Sequence, residues 1–432
     1  MVVLMADLLT PFFIWKGIVP PPIRWISSIG VAILAGIAFA RMMALDRIPR
    51  AVLVIGALSA IGITVALLEG QGLLATAWGW WRMFEFVLVG LFAYLSPHWP
   101  RQFPRRLLAF CVGVLGMEVL FQIGQFLTGE PIGDNLAGTF GWHGVGSLAI
   151  FIMFVLCLGL GQWLSEGRWK ILLIAITLGL ISSVLGEIKI FTAAALALSM
   201  LAALFFVLRS GQLWKLIPFV VLAGIVVWVF AAGYNAFVSG SSRPLQQYYL
   251  DAESRNAYLN LVRQSVTAPD RFSIGRNFAL KYGWDTILSS PTSTLFGFGL
   301  GARGESRSLG IVGVALEQGS LGLSRGTSLL VMMQEMGLFG MIVIGGFILW
   351  VAVVLLRDIR RYPQSDGVQL RYALLLFSLL WPIWLWYLTV WTFRVPMLLY
   401  WVTLGYVLND ARHRHMGLAE AALSDLEWRG AG

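Results

Sequence analysis

Charge is what this 432-residue chain has least of: 12% of its residues are charged, against 58% hydrophobic. An ordinary soluble domain carries about a quarter charged residues, so a soluble fold is excluded. Short segments of alternating polar and apolar residues are also missing, which excludes a membrane β-barrel. There are two cysteines, Cys111 and Cys157, both inside apolar runs. Neither a disulfide framework nor a thiolate metal site follows from them. The four histidines and the carboxylates show no metal-ligand spacing, so no metal and no cofactor is expected. The net charge of +9 belongs on membrane-flanking loops, not on a nucleic-acid surface, and no nucleic-acid partner is expected. The apolar start, Met1 to Val19, lacks a basic opening and an Ala-x-Ala-like end, and reads as a short first span instead of a cleavable leader.

Repeated apolar runs of roughly 20 residues are what the chain has instead. They lie near 2–19, 25–43, 51–69, 73–96, 107–127, 144–164, 169–186, 189–208, 214–238, 327–356, 370–392 and 396–409. The fold class expected is all-α: a polytopic membrane protein with about twelve transmembrane helices and one large outward-facing helical loop. Spans one to nine fill 1–238, the loop 239–326, and spans ten to twelve 327–411; a cytoplasmic tail follows at 412–432.

The connections alternate in charge. One set carries clusters such as Arg101, Arg105 and Arg106, or Arg357, Arg360, Arg361 and Arg371, whereas the short connections of the other hold Lys16, Arg24, Lys189 and Arg394. The positive-inside rule puts both termini in the cytoplasm and the long loop outside. Within that loop nine basic residues stand against six acidic ones.

Polar residues at membrane depth need a partner or a purpose. Arg82 and Glu85 are three apart on one helix face, where they can pair with each other or leave Arg82 to receive an anion. Glu118 and Gln122 share a face and are expected to make buried polar contacts. Trp78, Trp80 and Trp81 read as an interfacial belt, with a sugar-stacking platform as the alternative. Lys189 snorkels or meets a ligand. His143 opens the sixth span as an edge residue, or acts as a base beside an outward cavity.

In the loop, Asp251 to Arg263 reads as an amphipathic helix that places Arg255. A second helix carries Leu280, Trp284, Ile287 and Leu288, capped by Asp270 or Ser273. Gly297, Gly299 and Gly301 then alternate in Leu295-Phe296-Gly297-Phe298-Gly299-Leu300-Gly301, a pattern that lets backbone amides approach a ligand.

Arg276, Trp284, Pro291, this glycine run and the later Gln334-Glu335-Met336-Gly337-Leu338-Phe339-Gly340 resemble the bacterial O-antigen polymerase/O-antigen ligase family over about residues 240–345. The resemblance implies a GT-C-like, metal-independent membrane glycosyltransferase of the bacterial inner membrane. It would polymerise undecaprenyl-diphosphate-linked oligosaccharide repeat units into a surface or exopolysaccharide, with a co-polymerase that regulates chain length as a partner. Catalytic candidates are then Arg276, Arg255, His143 and Glu317. Substrate-binding candidates are Arg303, Arg325, Arg82, Trp284 and the three glycines. The ligase branch carries a His about eleven residues before the Gly of Glu-x-Gly; here that position is Gly326, which favours a polymerase and leaves the base among His143, Glu317 and the substrate itself. The alternatives are ligase-type transfer to another acceptor and a lipid-linked oligosaccharide flippase. A peptidoglycan-type glycosyltransferase would need an Asp in the loop, where Asp251, Asp270 and Asp285 are available. The span pattern shows no two-fold repeat of the kind transporters carry.

Overall fold

The computed structural model describes residues 2–44, 50–100, 102–211, 214, 216–237, 244–264, 272–306, 309–317, 326–365 and 367–430. Nine helices precede the loop: α1 (Val2–Trp15), α2 (Trp25–Met43), α3 (Arg50–Leu68), α4 (Leu73–Tyr94), α5 (Phe103–Leu127), α6 (Val145–Glu166), α7 (Lys170–Leu185), α8 (Ile190–Ser210) and α9 (Leu216–Phe237). Loop helices α10 (Leu245–Tyr249), α11 (Ala252–Leu259), α12 (Arg276–Ile287), α13 (Pro291–Phe296) and α14 (Val314–Glu317) follow. The chain ends with α15 (Ser328–Arg361), α16 (Val368–Leu379), α17 (Trp381–Tyr387) and α18 (Arg394–Gly430).

The expected apolar runs are thus helical, but six of these helices are long and apolar enough to cross a membrane, or seven if the bent pair α16–α17 is one span. The apolar helices Val2–Trp15, Val52–Leu68 and Lys170–Leu185 are shorter. At 1.5 Å per residue, the fourteen residues of α1 reach about 21 Å, against a hydrocarbon core of about 30 Å. The structure is mostly helical, as expected. Among the described residues of the loop two short antiparallel ladders occur as well: β1 (Val262–Gln264) with β2 (Phe272–Ile274), and β3 (Glu305–Ser306) with β4 (Ile311–Val312). The expected helix through Arg263 therefore stops at Leu259, and Val262 and Arg263 join a strand.

The centre of the bundle is α6, buried along nearly its whole length and packed on α16. Between α4 and α18 the backbones almost touch, because a Cβ on Gly405 would collide with the Gly90 carbonyl. Close approach of this kind replaces the hydrophobic drive that is missing between helices in lipid.

Two helices are broken. Gly337 interrupts α15 at φ 59, ψ −154, after a first, buried segment from Ser328 to Met336. Pro382 sits just inside α17, which bends by 41° from α16.

The end of the bundle bearing the Arg-rich short connections is tied by a balanced set of charges. Arg371, fully buried, meets Asp358 through Nε and Asp410 through Nη2, each at 2.5 Å. Arg414 reaches the same two carboxylates at 2.9 and 3.2 Å. Asn409 donates to the Tyr94 and Ser96 carbonyls nearby. Removing one partner of a buried pair strands the other, at about 3–5 kcal/mol. We expect Arg371→Ala to lower stability by about that amount, read as a drop in the thermal unfolding midpoint of the detergent-purified protein. Arg371→Lys should fall in between, and an unchanged midpoint in the alanine variant would discount the quartet as a tie.

Candidate functional site

The opposite end holds a cleft of about 1110 Å³. Its walls come from the loop, from α4 and from the short connections that carry Arg24, Asp134, Glu187 and Thr389. Six cations line it: Arg24, Arg82, Lys189, Arg276, Arg303 and Arg394. Glu85, Asp134, Glu187 and Glu305 face them, with His143 and the aromatics Trp25, Trp78, Trp81, Tyr258, Tyr387, Trp391 and Phe393.

Most of these cations are fixed by protein groups. Arg82 does not pair with Glu85, as its spacing suggested. It reaches across to Glu335 on α15, a carboxylate with no exposure, and donates to the Arg303 carbonyl at 3.4 Å. The same Glu335 Oε1 accepts the Arg303 backbone N–H at 3.2 Å, and the Arg303 guanidinium donates to Gln334 Oε1 at 2.9 Å. Gln334 and Glu335 end the first segment of α15 next to the Gly337 break, so the break sets where both arginines stand. Burial pulls the Arg303 guanidinium down to about 10; Tyr282 and Glu335 oppose that and Arg82 adds to it. It therefore stays charged at neutral pH. Glu85 pairs with Arg394 instead, which also meets Asp7 of α1.

Arg276 is held differently. It is the first residue of α12, after Gly275, whose bare Cα lets the chain press on the Leu259 carbonyl that ends α11. Gly275 is also the N-cap; Ser273 lies in β2, and Asp270 falls outside the described residues. The guanidinium lies 4.6 Å from the Tyr387 ring and 5.6 Å from the Tyr258 ring, and these two hydroxyls are 2.9 Å apart. Its Nε donates to the Tyr387 carbonyl at 3.3 Å. Among the described residues no carboxylate pairs with it.

Lys189 sits 3.7 Å from Glu187 and 4.9 Å from the Tyr248 ring centre, so it is drawn into the cleft wall and does not snorkel outward. The Tyr249 hydroxyl, pushed up to about 12 by burial and by Tyr258, donates to the Lys189 carbonyl. The tryptophans are not a plain belt. The Trp25 and Trp78 rings meet at 5.4 Å, Trp78 donates to the Glu305 carbonyl, Trp80 donates to Ser59, and Trp78 and Trp81 line the cleft. His143 and Glu187 line it with positive φ, 58 and 49, an uncommon backbone state outside glycine that concentrates at functional sites. Glu118 and Gln122 make the buried contacts expected of them, to Thr139 and to the Leu136 and Ser182 carbonyls.

Other candidates move away from the site. Arg255 is exposed and donates to the Tyr249 carbonyl at 2.8 Å, outside the cleft. Glu317 and Trp284 are exposed and do not line the cleft. Asp251 caps α11 and Asp285 is exposed on α12. Arg325 lies outside the described residues. Gly297, Gly299 and Gly301 all have positive φ, but their open sides are taken by protein. A Cβ on Gly297 would meet the Gln334–Met336 backbone, on Gly299 that of Ala66, and on Gly301 that of Ala75. The amides of Phe298 and Leu300 donate to Gln334 and Gly62 carbonyls. The run threads the chain between α3, α4 and α15 and so delivers Arg303; it is not a ligand cradle. Sequence reasoning also missed Arg394, Gln334 as an anchor, and the two tyrosines around Arg276. The first of these had a signal, a cation at a span edge with acids elsewhere at depth.

No family model matches this chain, and no curated protein matches it.

Because Glu335 serves two arginines, Glu335→Ala should cost about 3–5 kcal/mol of stability. Glu335→Gln should cost less, since it keeps an acceptor oxygen. Thermal unfolding of both purified variants checks this, and equal midpoints for wild type and alanine variant would remove Glu335 as the anchor.

Proposed function

We propose that the chain is an inner-membrane glycosyltransferase that joins lipid-diphosphate-linked oligosaccharides at the outer leaflet, lengthening a surface or exopolysaccharide. One observation carries this reading: a guanidinium with no acidic partner among the described residues, Arg276, faces a large cleft whose walls also carry further cations, carboxylates and aromatic rings. A diphosphate diester is a dianion whose non-bridging oxygens a guanidinium holds through two parallel hydrogen bonds. Its charge grows as the glycosyl bond breaks, so a cation placed there lowers the barrier. The volume exceeds the roughly 300–1,000 Å³ of ordinary small-ligand pockets, which suits a carrier headgroup together with sugars. Aromatic faces such as Trp25 and Trp78 suit pyranose rings. In this reading the chain crosses the membrane about twelve times, the helices that fall short sit against thinned bilayer or rely on snorkelling flanking side chains, both termini are cytoplasmic, and the cleft opens outward.

A second reading has an observation of its own. Broken helices are common at transporter binding sites, and α15 and the α16–α17 pair are both broken. A flippase for the same lipid would use the same cations. The purified protein in detergent separates the two: given a lipid-diphosphate repeat unit it should yield longer glycans, which a flippase would not. Arg276→Ala should lower that yield by about 10²–10³-fold, the cost of losing one transition-state donor, while the protein still inserts and purifies. Normal chain length and yield in this variant would remove the assignment. Sidedness has a separate check. Cys111 and Cys157 are buried, so the native background is silent. Arg255→Cys should react with a membrane-impermeant thiol reagent on intact cells; labelling only after lysis would turn the cleft to the cytoplasm.

A further inference from the structure

Most buried charges meet an opposite charge, Glu118 among its Thr139 contacts being one that does not, and one cluster holds more acids than bases. At the far end two arginines meet two aspartates. Arg82 meets Glu335 and Lys189 meets Glu187. Arg394, however, stands alone between two carboxylates. Its Nε is 2.7 Å from Asp7 Oδ1, and its Nη1 is 3.0 and 2.9 Å from the two oxygens of Glu85. Asp7 is 7% exposed and Glu85 4%. The Asp7 Oδ2 atom is buried with no hydrogen-bond partner. Among the described residues no other cation forms an ion pair with Asp7 or Glu85. Arg82, one turn from Glu85, is committed to Glu335. The remaining neighbours are Ser27 beside Asp7, Trp81 beside Glu85 and the Phe86 ring 5.7 Å from Arg394. Two carboxylates, each less than a tenth exposed, share one guanidinium, and the surplus negative charge favours a proton on one of them.

We infer that Asp7, Glu85 and Arg394 form a proton-binding site that opens on the cleft through Glu85, and that it receives the proton released when the acceptor hydroxyl attacks. The resident proton sits on Asp7, which Arg394 holds through one oxygen, and Glu85, held through both oxygens, is the ionised member that lines the cleft. During transfer the acceptor O–H bond breaks as its oxygen bonds to the anomeric carbon. The bond from that carbon to the diphosphate oxygen breaks, and its electron pair leaves with the diphosphate. The hydroxyl proton goes to Glu85 and is then lost to cleft water. This second half rests on the glycosyl-transfer reading; the proton site does not.

Infrared difference spectroscopy of the purified protein tests the site without any substrate. Asp7→Asn and Glu85→Gln each leave one carboxylate against one guanidinium, so each should lose the carbonyl stretch of one protonated carboxyl. Arg394→Gln, if it folds, should gain one. Glu118 sits among Thr139 contacts with no cation, so Glu118→Gln fixes its separate contribution. Variant-minus-wild-type spectra without that band for both Asp7→Asn and Glu85→Gln would overturn the proton site. For the catalytic half, Glu85→Gln should slow glycan elongation by about 10²–10⁴-fold, the usual worth of a general base, while retaining binding of the lipid-diphosphate donor. Unchanged elongation would overturn that half. If wild type binds no lipid diphosphate, the transfer reading and the catalytic half fall together, and the infrared result still decides the proton site.

Discussion

A guanidinium or carboxylate removed from water must find its opposite, and in this chain that demand ties helices far apart in sequence. Arg394 links α1, α4 and α18; Arg371 links the ends of α15, α16 and α18; Arg82 links α4 to α15. Hydrophobic burial cannot choose among helix neighbours in lipid, because lipid tails are as apolar as leucine. Ion pairs and close backbone contacts can. The two kinds of contact alternate along the same helices, as on α4, where Gly79 and Gly90 admit neighbouring backbone and Arg82 and Glu85 make pairs between them.

The polar loop is built by the same means. Its glycine run is drawn down between α3, α4 and α15, and Arg303 enters at only 5% exposure. Glu335 then holds the Arg303 amide and Arg82 together. The break at Gly337 makes this possible. A continuous helix would carry the backbone through the place where Leu295 and Gly297 press on α15. A short helical segment, a glycine and a returning loop thus form one unit that sets two cations at the edge of the cleft.

Much of the helical layout was legible because long apolar runs admit one solution in lipid. The alternation of arginine-rich and arginine-poor connections distinguishes the cleft-bearing end from the other. What stayed hidden was pairing at a distance. Arg82 and Glu85 look like partners at three residues' spacing, yet each turns to a residue more than 200 positions away, since the sequence says nothing about which helices adjoin. The glycines announced close approach correctly but not what approaches. Arg276, singled out by the family resemblance, and Arg303, Arg82 and His143, found by residue type and place, do line the cleft; Trp284 of the same resemblance and Arg255 and Glu317, found by type and place, do not. Exposure within a loop depends on folds such as β1–β2, whose three-residue strands carry almost no sequence signal.

The contrast between Arg276 and its neighbours has a consequence for ligand choice. A phosphate approaching Arg82 must compete with Glu335, and breaking a buried pair costs about 3–5 kcal/mol. At Arg276 the competitor is a pair of tyrosine faces, where a cation gains about 0.5–2 kcal/mol and need not leave when an anion arrives in the ring plane of the guanidinium. The tyrosines fix the group without discharging it. The fixed cations supply field over the cleft, and the one with no acidic partner among the described residues supplies the bond. An anion large enough to feel both is favoured over a single small ion, which would gain the bond but little of the field, because interaction energy grows with each charge held near the wall.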